Sequence, residues 1–273
     1  MVAQSLDKAA WAVVLTSTNK YIDGALKLAA SLQHVQSAYP LLVLYTSAVS
    51  QEAREKLKEA GCIVHEVAPV RPRGKVTYFT QRFEDTWTKL TAWDQADHYE
   101  RLVLLDADML VLKNMDELMK MELDKDEIAA CYACKCNPHK IKAYPADWIP
   151  ENCAYTAMDD KRRDYFNSGA IVLRPSHTTF QTMLARLYGI PDLNIYPFPD
   201  QDFLNEFFAG HWKLLPYTYN ALKTLPYLHT ALWDLSEVKV VHYILDKPWD
   251  KDPSDTDDRY ASLYRLWWDA PGV

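Results

Sequence analysis

The chain has 273 residues, 49% hydrophobic and 25% charged, with a formal net charge of -7. These are the proportions of a folded globular protein, and an acidic chain with no basic stripe is not expected to bind nucleic acid. Its 7 glycines are too dispersed for a dinucleotide fingerprint or a Walker-type phosphate loop, so any bound phosphate must be met by cations: a metal, lysine or arginine.

The first half alternates strand and helix signals. Residues 11–16 form a buried apolar run. Residues 21–34 carry Leu26, Ala29, Ala30 and Leu32 near helical spacing. Residues 41–45 predict a second buried strand, and Ser50 caps a polar helix over 51–60 that ends at Gly61. Residues 62–67 predict a strand, 86–96 a helix and 101–105 a fourth strand that ends in Asp106-Ala107-Asp108. Such alternation argues for a mostly parallel sheet covered on both faces.

The stretch 131–163 reads as a long irregular excursion that orders on ligand binding. Signals return at 170–173 (strand), 178–188 and 201–208 (helices), 238–241 (strand) and 263–268 (amphipathic helix). No interdomain linker is visible, so the chain is expected to form a single domain over 1–273. No apolar run is long enough to span a membrane, and the N-terminal apolar run is too short for a signal peptide. The odd count of 5 cysteines fits reduced thiols in the cytoplasm.

Asp106 and Asp108, two apart on an extended segment, point to one side beyond the carboxyl end of a buried strand, where α/β sheets bind ligands. Paired hard oxygens suit Mg or Mn on a diphosphate; the bland alternative is a solvated turn. His242 ends another buried strand and completes a plausible metal set, or serves as a hydrogen-bonded structural histidine. Lys247 could meet a leaving diphosphate. Asn167 and Ser168, beside Gly169, suit sugar hydroxyls or form an ordinary turn. Asp200, with Gln201, either faces a sugar or caps its helix. Cys131, Cys134, Cys136, His139 and Cys153 do not match a paired Cys-x-x-Cys zinc spacing, which favours unligated thiols.

In this order the motifs resemble glycosyltransferase family 8, the group containing glycogenin and galactinol synthase. They are Leu15-Thr16-Ser17-Thr18 with Tyr21 and Gly24-Ala25-Leu26, Thr88-Lys89-Leu90, Leu105-Asp106-Ala107-Asp108 and Phe166-Asn167-Ser168-Gly169. Asp200-Gln201 with Leu204-Asn205, Pro216 with Tyr219-Asn220, and Val240-Val241-His242 with Lys247-Pro248-Trp249 complete the set.

The resemblance implies a GT-A fold: a single α/β/α domain with a nucleotide-binding half (10–125) and a donor-sugar and acceptor half (126–273). It implies Mn-dependent, retaining transfer of glucose or galactose from a UDP-sugar to a sugar or polyol hydroxyl. Asp106, Asp108 and His242 would hold Mn, with Ala107 between the carboxylates at the nucleotide. Leu15, Ser17, Thr18 and Tyr21 would border uracil and ribose. Arg82 and Lys89 would be donor-side cations. Asn167, Ser168, Asp200 and Gln201 would face the sugar, and Lys247 the departing UDP. It permits a homodimer. Two features depart from the family: no glycine lies between His242 and Lys247, and Pro197 replaces an acidic residue. Tyr227 falls where glycogenin is self-glucosylated, so a self-glycosylating primer is an alternative. A non-catalytic nucleotide-sugar module and a metal phosphohydrolase are others.

Overall fold

The computed structural model describes residues 8–78, 80, 83–156 and 164–271. Strand β1 (Ala9–Leu15) leads to helix α1 (Tyr21–His34), β2 (Leu41–Tyr45), α2 (Gln51–Glu59) and β3 (Ile63–Glu66). The Ser50 hydroxyl caps α2 by accepting from the Ala53 amide at 3.3 Å, and Gly61 takes φ 83° just beyond its end, the left-handed conformation glycine adopts freely. The helix predicted over 86–96 is present as a 3-10 helix (Thr86–Gln95), followed by β4 (Arg101–Leu105), β5 (Met109–Val111) and β6 (Ile128–Tyr132). Then come β7 (Phe166–Leu173), α3 (His177–Gly189), α4 (Pro199–Phe207), β8 (Trp212–Leu214), β9 (Ala221–Leu222), α5 (Leu225–Leu228), β10 (Val240–His242) and α6 (Ala261–Asp269).

The large sheet has the order β3-β2-β1-β4-β7-β6-β8. The strands from β3 to β4 run parallel, β7 is antiparallel to both β4 and β6, and β8 is parallel to β6. Both faces are covered, as continuous apolar strands require. Trp11, Val13 and Leu15 of β1 face the core under α1 and α2. Ala10 and Ala12 face the opposite core, with Trp87, Trp93, Met183 and Phe203. This is the two-residue alternation of a strand. The predicted strand at 170–173 begins earlier, at Phe166, so Asn167-Ser168-Gly169 lies inside β7 rather than in a turn before it. Among the described residues no helix is long and apolar enough to cross a membrane.

A small sheet, β5-β10-β9, stands beside the large one, backed by Leu110, Val241, Tyr243, Tyr264 and Trp267. It buries Lys223 completely. The ammonium donates to the Tyr264 hydroxyl at 2.6 Å, and burial depresses its pKa to about 7. An unfolded lysine holds its proton to about pH 10.4. Between these values the unfolded chain binds more protons, so unfolding free energy rises with pH. The Tm difference of Lys223→Met minus wild type is therefore expected to fall by about 10 °C between roughly pH 6 and pH 10. A difference that stays constant in thermal melts across that window would mean the buried lysine does not titrate there.

Candidate active site

The site begins where β4 ends. The Asp106 amide donates to the Gly169 carbonyl at 2.8 Å, which ties the Asp-Ala-Asp turn to β7. Pairing of β5 with β10 puts His242 opposite Met109, next to Asp108. Imidazole Nε2 then lies 3.3 Å from Asp108 Oδ1 and 3.7 Å from Asp106 Oδ2. One ligand atom from each of the three residues lies within 4.8 Å of the others. Two carboxylates and an imidazole are a donor set that suits a divalent ion such as Mn.

Hydrogen bonds orient the imidazole. Asn167 Oδ1 accepts the Gly169 amide at 3.0 Å, so that atom is an oxygen, and Asn220 Nδ2 donates to it at 2.8 Å. Asn220 Oδ1 is then turned to His242 Nδ1 at 2.9 Å and accepts from it. With Nδ1 engaged by Asn220, Nε2 is the ring nitrogen turned to the two carboxylates, the arrangement of an oriented metal-binding histidine. Asn220 is fully buried. In the sequence it stands out only as part of the Tyr219-Asn220 motif.

Two glycines permit close approaches here. A Cβ on Gly24 would stand 2.3 Å from the Ala107 carbonyl oxygen, and one on Gly169 would stand 2.4 Å from His242 Cε1. Gly169→Ala is expected to push the imidazole from its position and lower kcat/KM about 10²-fold. Steady-state kinetics check this, and a variant equal to wild type would show that the position of His242 is immaterial.

Cations bracket the carboxylates. Lys247 Nζ donates to Asp108 Oδ2 and, at 2.9 Å, to the Tyr243 carbonyl. Burial pushes the Asp108 carboxyl up, but Lys247 and His242 outweigh burial and hold it well below the usual carboxylate range. Lys89 spans Asp106 Oδ1 at 2.8 Å and Asp200 Oδ2 at 2.9 Å. Burial alone would depress its pKa; the two carboxylates reverse that and raise it.

Asp200 also accepts from the Ser168 hydroxyl at 2.9 Å. It sits in the first turn of α4 and its side chain does not cap the helix. Gln201 Oε1 accepts from Asn167 Nδ2 at 2.9 Å and from the Ser168 amide at 3.2 Å, while its amide donates to the Tyr165 hydroxyl at 3.0 Å. Tyr165 was not singled out in the sequence.

These groups line a cavity of about 580 Å³, the size of a small-molecule site. Leu15, Ser17 and Tyr21 line it together with Ala107 and the two aspartates. Asn167, Ser168, Asp200 and Gln201 line the same cavity. The Lys247 ammonium is 5.9 Å from the Tyr21 ring centroid. Thr18 is not part of the lining; its hydroxyl accepts from the Ser50 amide at 2.7 Å, which joins the turn after β1 to the start of α2. Arg82 lies outside the described residues. The glycine-free loop from His242 to Lys247 places Leu245 at φ 64°, the left-handed conformation that glycine would take without strain. Tyr227 is outside the cavity lining, on α5, and its hydroxyl donates to the Arg259 carbonyl.

Comparison with known proteins places the chain. The sequence profile of "Glycosyl transferase family 8" matches residues 12–252. Galactinol synthase 7 of Arabidopsis thaliana is 32% identical over 275 residues, covering 95% of this chain and 80% of the relative. Galactinol synthase 1 of Ajuga reptans is also 32% identical, over 96% of this chain and 80% of its own length. Among solved structures, the galactosyltransferase LgtC in complex with donor and acceptor sugar analogues superposes with a TM-score of 0.60 at 18% identity, over 93% of this chain and 95% of that one. The bifunctional glycosyltransferase WbbM gives 0.66 at 18% identity, covering 99% of this chain and 51% of that one. These neighbours share the GT-A fold. The turn from β4, the histidine from β10 and the profile match thus converge: the chain belongs to glycosyl transferase family 8, a family of retaining glycosyltransferases.

Proposed function

We propose that this protein is a Mn-dependent retaining hexosyltransferase that moves a hexose from a UDP-sugar to a polyol or sugar hydroxyl. The carrying observation is the convergence of Asp106, Asp108 and His242 in the lining of one cavity, with Lys247 against them. Relatives named for making galactinol, a galactosyl polyol, match over nearly the whole chain and favour galactose over glucose and a polyol as acceptor. We assign uracil and ribose to the 10–125 half, beside Leu15, Ser17 and Tyr21, and the sugar and acceptor to the 126–273 half. The cysteines lack disulfides, which favours a cytoplasmic site of action.

Asp106, Asp108 and His242 would hold the metal, which when bound supplies positive charge to the diphosphate. Lys247 adds a second positive charge where negative charge grows as the sugar–phosphate bond breaks, which stabilises the transition state more than the ground state. Asp200, Gln201, Ser168 and Asn167 accept from and donate to the sugar hydroxyls. Their mutual hydrogen bonds preorganise them, so little reorganisation is needed when sugar arrives. Lys89 locks the two carboxylate groups at a set separation. The departing phosphate oxygen takes the acceptor's proton as the acceptor attacks from the leaving-group face.

The test is UDP release from UDP-galactose and UDP-glucose, with Mn or chelator, across a panel of polyols and sugars. Release that requires Mn and one acceptor class supports the reading and names both substrates. Metal-dependent binding of UDP with no release under any pairing would sink it in favour of a binding module. Release indifferent to every acceptor would instead identify a hydrolase. Intact mass of the incubated protein separates the self-glycosylating alternative, which predicts hexose-sized steps lost in Tyr227→Phe.

A further inference from the structure

The irregular stretch after β6 conceals a second cluster. Cys134 and Cys136 follow β6, Cys153 closes the 3-10 turn Pro150–Asn152, and His229 caps α5. Three sulfurs converge on one nitrogen: His229 Nε2 lies 3.4 Å from Cys134 Sγ, 3.4 Å from Cys136 Sγ and 3.5 Å from Cys153 Sγ. The Cys134 and Cys153 sulfurs are 3.8 Å apart, far beyond the disulfide bond length of about 2.05 Å. Hydrogen bonding does not account for this convergence, because an imidazole nitrogen carries one proton or one lone pair and satisfies one thiol. A tetrahedral zinc accounts for it. Zn–S bonds of about 2.3 Å and Zn–N bonds of about 2.05 Å give S–S edges of about 3.8 Å and S–N edges of about 3.6 Å. The observed separations are those edges.

We infer that Cys134, Cys136, Cys153 and His229 form a closed structural zinc site that fastens one wall of the active cleft. The set is complete at four ligands and largely buried, with no position open for water, which marks a structural rather than a catalytic site. Thr156 Oγ1 lies 3.5 Å from His229 Nδ1 and orients the ring from behind. Binding releases the thiol protons to solvent and involves no change of oxidation state.

The wall needs such a clasp. From residue 133 to 149 the chain has neither helix nor strand, yet it contributes Asn137, Pro138, Tyr144 and Trp148 to the cavity. A metal joining this stretch to the end of α5 closes long loops and removes their conformational freedom. Spacing in the sequence did not reveal the site, because its fourth ligand lies 76 residues beyond Cys153. Cys131 and His139, grouped with these cysteines by proximity in sequence, are elsewhere: Cys131 donates to the Pro216 carbonyl and His139 meets the Tyr260 hydroxyl.

The test is the metal content of the purified full-length protein by plasma mass spectrometry, with and without zinc in the growth medium. About one tightly held zinc per chain is expected. Cobalt substituted for it should give thiolate charge-transfer absorption and the strong visible bands of a tetrahedral ion. Cys153→Ser and His229→Ala should lower zinc occupancy at least about tenfold, whereas Asp108→Ala and Cys62→Ser should retain it. Wild-type protein without stoichiometric zinc, iron in its place, cobalt lacking the thiolate band, or zinc lost in Asp108→Ala would each overturn the assignment. If the ligand variants do not fold, the wild-type content and cobalt spectrum decide. None of these readouts depends on sugar transfer, so they stand apart from the proposed activity.

Discussion

Asp108→Asn is expected to lower kcat/KM for sugar transfer at least about 10²–10³-fold. The substitution keeps the shape and removes the charge. It takes one carboxylate from the proposed metal set and leaves Lys247 without its counter-charge. It also sets an amide against the Lys247 ammonium, which needs an acceptor. Metal affinity should fall with the rate, and Mn titration of the variant measures that directly. Stability should fall too, because removing one partner of a buried ion pair costs about 3–5 kcal/mol. The folded carboxyl is held below its usual range. Its contribution is therefore complete above the unfolded value of about pH 3.9 and is lost as pH falls through the folded value. The stability gap between wild type and variant should persist at neutral pH and close only in strong acid. A variant within tenfold of wild type in kcat/KM would remove Asp108 from the reaction.

Lys89→Met should act mainly on the fold around the site. Lys89 bridges Asp106 and Asp200 and also donates to the Ser168 carbonyl at 3.3 Å. Without it, two carboxylates remain near each other in a largely enclosed site with no shared cation. A loss of about 3–5 kcal/mol is expected, read as a Tm drop of roughly 6–15 °C. The folded ammonium is held above its usual pKa, so its stabilisation is complete below the unfolded value of about pH 10.4 and is lost only as pH rises through the folded value. Denaturant titrations should therefore find the same wild-type advantage from about pH 6 to pH 9. Transfer should fall as well, because the Asp106 and Asp200 carboxylates lose their common anchor. A Tm within about 2 °C of wild type would show that the bridge contributes little.

Local patterns made much of this molecule legible. The predicted helix over 21–34 and the strands over 41–45 and 101–105 coincide with α1, β2 and β4. Compact apolar runs bounded by turn residues leave little choice of local conformation. Asp106 and Asp108 were readable for the same reason: the strand that delivers them is adjacent in the chain. Other features depended on distant partners. The segment before residue 170, for which a turn is one reading of the sequence, is strand because β6 pairs with it at Phe166 and the Asp106 amide donates to the Gly169 carbonyl. The predicted helix at 86–96 is there, and the packing decides that it is of the 3-10 kind, a distinction that apolar spacing does not make.

The sequence by itself determined the alternating α/β plan, the Asp-Ala-Asp turn beyond a buried strand and the family likeness, all of which are carried by short windows of residues. Only the tertiary structure decided that His242 meets Asp108, through the pairing of β10 with β5. It alone gave Asn220 the task of orienting that histidine, Lys89 its two carboxylates, and three cysteines a histidine from another part of the chain. The division has a physical reason: periodicity and capping act over a few residues, whereas these contacts depend on which buried faces pack together, and sequence spacing carries no distance between them.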